Sequence, residues 1–196
     1  MDEPSLIQDA QAGDVNAYNT LVLYYQDAVY NVAYRIMGEP STASDATQEA
    51  FISAYKAIRN FRGGNFKAWL MRIVTNACYD ELRRRKRQPQ LSLDELTEDN
   101  ESSPLLVSEA IPRPESLQAR KELVMAIEQC LQELPDVQRT AAVLRDVEGY
   151  NYREIADIMA SSVGTVKSRI SRARAKLREC LQGFEELIPA EYRHAY

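Results

Sequence analysis

Apolar residues recur every three or four positions along most of the chain, and short Gly, Pro and Asp punctuation separates the runs. Ser5 and Gln8 have capping-box spacing and predict a short first helix that ends at Ala12, with Gly13 as its stop. Asp14 is placed to cap a long second helix over residues 15–37. Its stripe is Leu21, Val22, Tyr25, Val29, Val32, Ala33 and Ile36, and Gly38 and Pro40 close it. Thr42 and Asp45 predict the start of a third helix over residues 42–60. There Ala46, Ala50, Ala54 and Ala57 offer a small-residue face for close helix approach. Two adjacent glycines, Gly63 and Gly64, mark a loop. Asn65 can cap a fourth helix over residues 66–87, with Phe66, Trp69, Leu70, Ile73, Val74, Ala77 and Leu82 on its inner face.

The periodicity then breaks. Residues 89–115 hold Pro89, Pro104, Pro112 and Pro114 among many carboxylates, a composition that predicts a flexible linker. Helical spacing resumes over residues 116–134, 136–148, 152–159 and 163–181, with Pro135 and Gly149 as breaks. The last two segments flank a tight turn at Ser161 and Ser162, the signature of a helix-turn-helix. The predicted fold is all-α: two small helical domains joined by an acidic flexible linker, the second carrying the helix-turn-helix. The boundaries are 1–88, 89–115 and 116–184, with a tail over 185–196 that matches no motif.

A formal net charge of -5 over 196 residues argues against a nucleic-acid binder until its layout is read. Residues 1–88 carry 11 basic and 10 acidic residues, residues 89–120 carry 2 and 7, and residues 121–196 carry 11 and 12. Between Ser161 and Arg178 stand six basic residues and no acidic one. Local patches make nucleic-acid contacts, so the average excludes nothing. Catalysis finds no support. The one His lies at position 194, Ser and Cys nucleophiles lack a partner base, and no phosphate-binding glycine loop is present. Asp45 and Glu49 share a helix face but have no companion His for a metal. No cofactor and no metal are expected. Cys78, Cys130 and Cys180 form no close pair and read as reduced thiols, with Cys78 a small core residue. No apolar run approaches the length of a membrane span and the N-terminus is acidic, so a cytoplasmic protein is expected.

Two segments carry chemistry. In the last helix, Val163, Val166, Ile170, Ala173 and Leu177 form an inward stripe, while Lys167, Ser168, Ser171 and Arg172 face outward near its start. A recognition helix needs that arrangement, because its first turns meet base edges in the major groove. Arg174, Lys176 and Arg178 are better placed for phosphates, or simply for water, and Thr165 and Arg169 join Arg174 and Lys176 as candidate phosphate contacts. A plain surface helix with basic residues toward its C-terminus would show a similar pattern. In the first domain, Asn60, Phe61, Arg62, Asn65 and Lys67 mix amides, an aromatic ring and positive charge, as single-stranded DNA requires. Composition equally allows Phe61, Phe66 and Trp69 to be core residues. Arg83, Arg84, Arg85, Lys86 and Arg87 fit either a phosphate patch or a solvated helix end.

Three motifs in order resemble the extracytoplasmic-function (group IV) sigma factors of the sigma-70 family. Asp45-Ala46-Thr47-Gln48-Glu49-Ala50-Phe51 resembles the family's D-x-x-Q-E-x-F helix, with Ser44 and Ala46 as departures. Residues 61–70, with Ile73, Asn76, Asp80 and the basic run, resemble the promoter-melting segment. Leu134-Pro135, Arg139, Gly149-Tyr150, residues 152–156 and residues 164–174 resemble the fourth conserved region, with Ser161-Ser162 replacing a frequent Ile-Pro. The resemblance implies a polymerase subunit without catalysis of its own. Asp45, Gln48, Glu49 and Phe51 would dock on the clamp of the largest RNA polymerase subunit, and the second domain on the flap of the second-largest. The loop from Asn60 to Lys67 and the basic run would capture and melt the -10 element. Lys167, Ser168, Ser171 and Arg172 would read the -35 element. An anti-sigma factor, often membrane-bound, would restrain it and could hold it near the membrane. A stable homodimer is not expected, in contrast to a helix-turn-helix repressor that pairs half-sites.

Overall fold

In the computed structural model of the chain, residues 2–87 and 114–189 are described. Every regular element among them is helical, in two modules. The first comprises α1 (Glu3–Ala12), α2 (Val15–Met37), α3 (Pro40–Ala57) with a 3-10 turn at Ile58–Asn60, and α4 (Phe66–Arg87). The second comprises α5 (Pro114–Gln132), α6 (Asp136–Ala142), a π-helical turn at Val143–Val147, α7 (Tyr152–Ile158), α8 (Val163–Gln182) and a 3-10 turn at Glu185–Leu187. Most of the predicted linker, residues 88–113, lies outside the described residues, as do residues 190–196.

The long helices fall where the periodicity places them. Asp14 caps α2 by accepting from the Asn16 and Ala17 amides, and Gly38 ends it in the left-handed conformation. Asn65 caps α4, accepting from the Ala68 amide at 2.9 Å. The stripes form the core: Leu21, Val29, Val32, Ala33 and Ile36 of α2 meet Ala43, Ala50 and Ala54 of α3 and Phe66, Leu70, Met71 and Val74 of α4, all buried. The alanines of α3 let its backbone approach both neighbours.

Several expectations are corrected. Asp2, not Ser5, caps α1: its carboxylate accepts from the Ser5 amide at 3.4 Å, and Pro4 fits the first turn. The third helix begins at Pro40, ahead of Thr42, because proline's fixed φ suits the first helical position, and it tightens into a 3-10 turn at Ile58. The fifth helix begins two residues before Ser116. The helix after Pro135 remains α-helical only to Ala142 and widens into the π-turn before Gly149.

The thiols are corrected as well. Cys130 and Cys180, read as reduced, form a disulfide between α5 and α8, their Cα atoms 5.8 Å apart. Their 50-residue separation hides the pairing, which exists only once α5 and α8 pack. Cys78 is the buried core residue expected, and burial pushes its thiol up to about 12.

One buried side chain ties the modules together. The Arg139 guanidinium, 6% exposed, donates to the carbonyls of Leu131 (2.9 Å), Gln132 (2.9 Å) and Leu134 (3.0 Å). It also donates to the Ile36 carbonyl, at the end of α2 in the first module. Asp136 lies 3.8 Å away and offsets its charge. These carbonyls lie at helix ends, where intrahelical partners run out. Beside it, Gln132 donates to the Arg35 carbonyl at 3.1 Å. It crosses Gly38 so closely that a Cβ there would meet the Gln132 side chain at 2.5 Å. Gly38 is favoured by its φ of +80°, and a side chain there would also displace the end of Gln132.

Arg139→Met keeps the volume but leaves those carbonyls without their donor. It is expected to destabilise the full chain by about 3–5 kcal/mol in urea unfolding. A loss below about 1 kcal/mol would show that the guanidinium does not hold the seam.

Candidate nucleic-acid interface

The helix-turn-helix is built by two caps and a strained turn. Asn151 caps α7 by accepting from the Arg153 (2.9 Å) and Glu154 (3.1 Å) amides, and Glu154 returns a carboxylate to the Asn151 amide at 2.8 Å. Ala160 then takes a left-handed φ of +45°, which reverses the chain. Ser162 caps α8 through the Thr165 amide at 3.1 Å. Val166, Ile170 and Ala173 are buried against the module, so the opposite face of α8 is presented to solvent.

The proposed -35 residues divide on that face. Lys167, Ser171 and Arg172 are exposed side by side. Ser168 is half-buried and its hydroxyl donates to the Thr165 carbonyl at 2.9 Å. Among the proposed phosphate contacts, Lys176 is exposed. The Thr165 hydroxyl bonds Ser162 Oγ at 2.8 Å, and Arg169 reaches Ser161 Oγ at 3.4 Å. Arg174 forms a two-pronged ion pair with Asp146, one bond at 3.1 Å. That hydrogen bond is the main cause of its raised guanidinium pKa.

In the first module, Gln11 of α1 anchors the loop after α3 by donating to the carbonyls of Ile58 (3.0 Å) and Phe61 (2.7 Å). Asn60, Arg62 and Asn65 are exposed. Phe61, Phe66 and Trp69 form a ring cluster with centroids 5.2–5.3 Å apart. Phe66 is buried at its base, while Phe61 and Trp69 are half-buried. Lys67 reaches across the modules to Glu148 at 2.9 Å, its ammonium 5.9 Å from the Tyr150 ring centroid.

The basic end of α4 is largely partnered. Arg83 pairs with Asp80 (3.1 Å), Arg84 with Glu81 (2.7 Å), and Arg85 with Glu39 (2.8 Å). Hydrogen bonds from Arg85 and Arg84 respectively hold the Glu39 and Glu81 carboxyls below the usual carboxylate range. Lys86 crosses to Asp136 of the second module at 2.6 Å, and Arg87 is exposed. On α3, Asp45, Gln48 and Glu49 are exposed together and Phe51 is half-buried. Glu148 and Asp136, which occupy the two lysines, gave no signal of those pairings in the sequence, because each pair forms only across the seam.

The described residues thus form two helical modules, the second with a helix-turn-helix. Residues 21–88 match the family model Sigma-70 region 2, and residues 124–177 match Sigma-70, region 4. The chain is 40% identical over 182 residues to the RNA polymerase sigma-H factor of Pseudomonas aeruginosa, covering 92% of this chain and 94% of that protein. It is 39% identical over 180 residues to the ECF RNA polymerase sigma-E factor of Escherichia coli K12, covering 90% and 93%. The structure is similar to that of CnrH in complex with the cytosolic domain of CnrY, with TM-score 0.65, 26% identity and coverage of 93% and 99%. It is also similar to the sigma factor RpoE bound to the anti-sigma factor NepR from Bartonella quintana, with TM-score 0.66, 28% identity and coverage of 86% and 98%. The chain belongs to the ECF (group IV) sigma-70 family. It is a non-catalytic sigma factor that binds core RNA polymerase and confers promoter-specific initiation.

Glu148→Gln removes the charge that occupies Lys67. The pair is partly solvated, so the expected loss is about 0.5–1 kcal/mol of inter-module contact. Amine-acylation footprinting checks it: Lys67 should label faster in the variant while exposed Lys56 is unchanged. Equal labelling of Lys67 in both proteins would mean that Glu148 does not hold it.

Proposed function

We propose that this sigma factor reads a two-part promoter with one element per module, and that its compact form must open to do so. Asp45, Gln48, Glu49 and Phe51 dock on the clamp of the largest polymerase subunit, and the second module on the flap of the second-largest. Lys167, Ser168, Ser171 and Arg172 read the -35 element, with Thr165, Arg169, Arg174 and Lys176 on phosphates. Asn60, Phe61, Arg62, Asn65 and Lys67 take the non-template strand of the -10 element, and Arg83, Arg84, Arg85, Lys86 and Arg87 hold its backbone. The observation that carries this reading is an asymmetry. Lys167, Ser171 and Arg172 are exposed on α8, whereas Lys67 and Lys86 are occupied by carboxylates of the opposite module. Promoter phosphates can replace Glu148 and Asp136 as counter-charges once the modules separate.

An anti-sigma factor is the second partner. The similar sigma factor RpoE is bound by the anti-sigma factor NepR, and the similar CnrH is in complex with the cytosolic domain of CnrY. No described helix of this chain is long and apolar enough to cross a membrane.

Run-off transcription with core polymerase tests the reading. Arg172→Ala should lower discrimination between matched and base-substituted -35 elements by about 1–3 kcal/mol. Unchanged promoter choice by a stably folded variant would remove Arg172 from the reading set. Asn60→Ala should bind duplex promoter normally but slow strand opening, seen as weaker permanganate reactivity at -10 thymines. Full reactivity would refute the melting role.

A further inference from the structure

Tyr152 is the first residue of α7 and is fixed by the Asn151–Glu154 capping box. Its ring faces a groove of about 290 Å³ shared with Lys167, Ser171 and Arg174 of α8. Two cations lie against that ring. The Arg145 guanidinium carbon is 5.0 Å and the Lys167 ammonium 5.7 Å from its centroid. Arg145 is itself held, donating to the Tyr150 carbonyl at 2.9 Å. One half-buried aromatic ring therefore links the π-turn, the start of α7 and the exposed start of α8.

Lys167 is exposed and carries a flexible four-carbon stem, whose rotamer freedom must be lost when it meets a base edge. A cation drawn to an aromatic face is restrained before any DNA arrives, and such restraint lowers the entropic cost of binding. We propose that Tyr152 is a positioning residue for promoter recognition, its ring holding the Lys167 side chain ready for the -35 element. This rests on the assignment of Lys167 to that element. The ring, and not the phenolic hydroxyl, is the working part.

The test uses holoenzyme assembled from the full chain, with affinities for matched and base-substituted -35 duplexes. Tyr152→Leu should lower the matched-to-substituted ratio about two- to five-fold. Tyr152→Phe should keep it. In a Lys167→Ala background, Tyr152→Leu should lower the ratio no further. If Tyr152→Phe instead weakens binding equally on all sequences and flattens the salt dependence, the hydroxyl is a phosphate contact and the proposal fails.

A second measurement does not depend on how Tyr152→Leu folds. In the free wild-type chain, ring current should shift the Lys167 ε-methylene protons upfield by NMR. Unshifted protons, with discrimination still lost in Lys167→Ala, would overturn the positioning role and leave Lys167 as a reader. Shifted protons, with discrimination unchanged in Lys167→Ala, would remove Lys167 from promoter reading and the proposal with it.

Discussion

Helix ends are the constraint on which this structure turns. Each α-helix leaves its last carbonyls without intrahelical donors, and with eight α-helices among the described residues several of those ends must be buried. Here the ends of α2 and α5 converge on the Arg139 guanidinium, which answers carbonyls from both. Arginine suits the position because its planar fork offers five donors and stays charged. Burial lowers the Arg139 pKa, and Asp136 acts against that shift. With that corner fixed, Gln132 falls across Gly38, and α6 is placed where Asp136 can reach Lys86.

The same corner explains how an acidic chain can carry the two surfaces proposed for promoter DNA. Lys67 and Lys86 face the second module and find carboxylates there, so the compact molecule shows fewer uncompensated cations than its sequence contains. At the start of α8, Lys167 and Arg172 are instead exposed. Net charge describes neither situation. What matters is which cation has a carboxylate within reach in a given arrangement of the modules.

Local signals were legible in the sequence where local physics decides. The Asp14 and Asn65 caps, the α2 and α4 stripes and the turn before α8 depend on neighbours a few residues away, and the structure places them as the spacing predicts. Misreadings arose where another choice competes nearby: Asp2 against Ser5 as the cap of α1, and Pro40 against Thr42 as the start of α3. The Cys130–Cys180 bond and the Lys67–Glu148 pair could not be read at all, since 50 and 81 residues separate the partners. The motifs located Lys167 and Arg172 on an exposed helix face. They did not disclose that Ser168 bonds its own helix, or that Arg174 already holds Asp146.

The seam is built so that its strongest element survives separation. Three of the four Arg139 carbonyl partners, Leu131, Gln132 and Leu134, belong to the second module and travel with it. The Ile36 carbonyl belongs to the first, and once exposed it can bond water in place of the guanidinium. In the proposed open form, Lys67 and Lys86 would exchange one anion for another as a phosphate replaces a carboxylate. The ion pairs would then be nearly balanced on opening, and what remains is the Gln132 bond to the Arg35 carbonyl together with the packing of α2 against α5 and α6 and of α4 against α7. A partner that binds the separated modules has that seam to outweigh. One that binds the compact form gains from it, so both kinds of partner can act on the same seam.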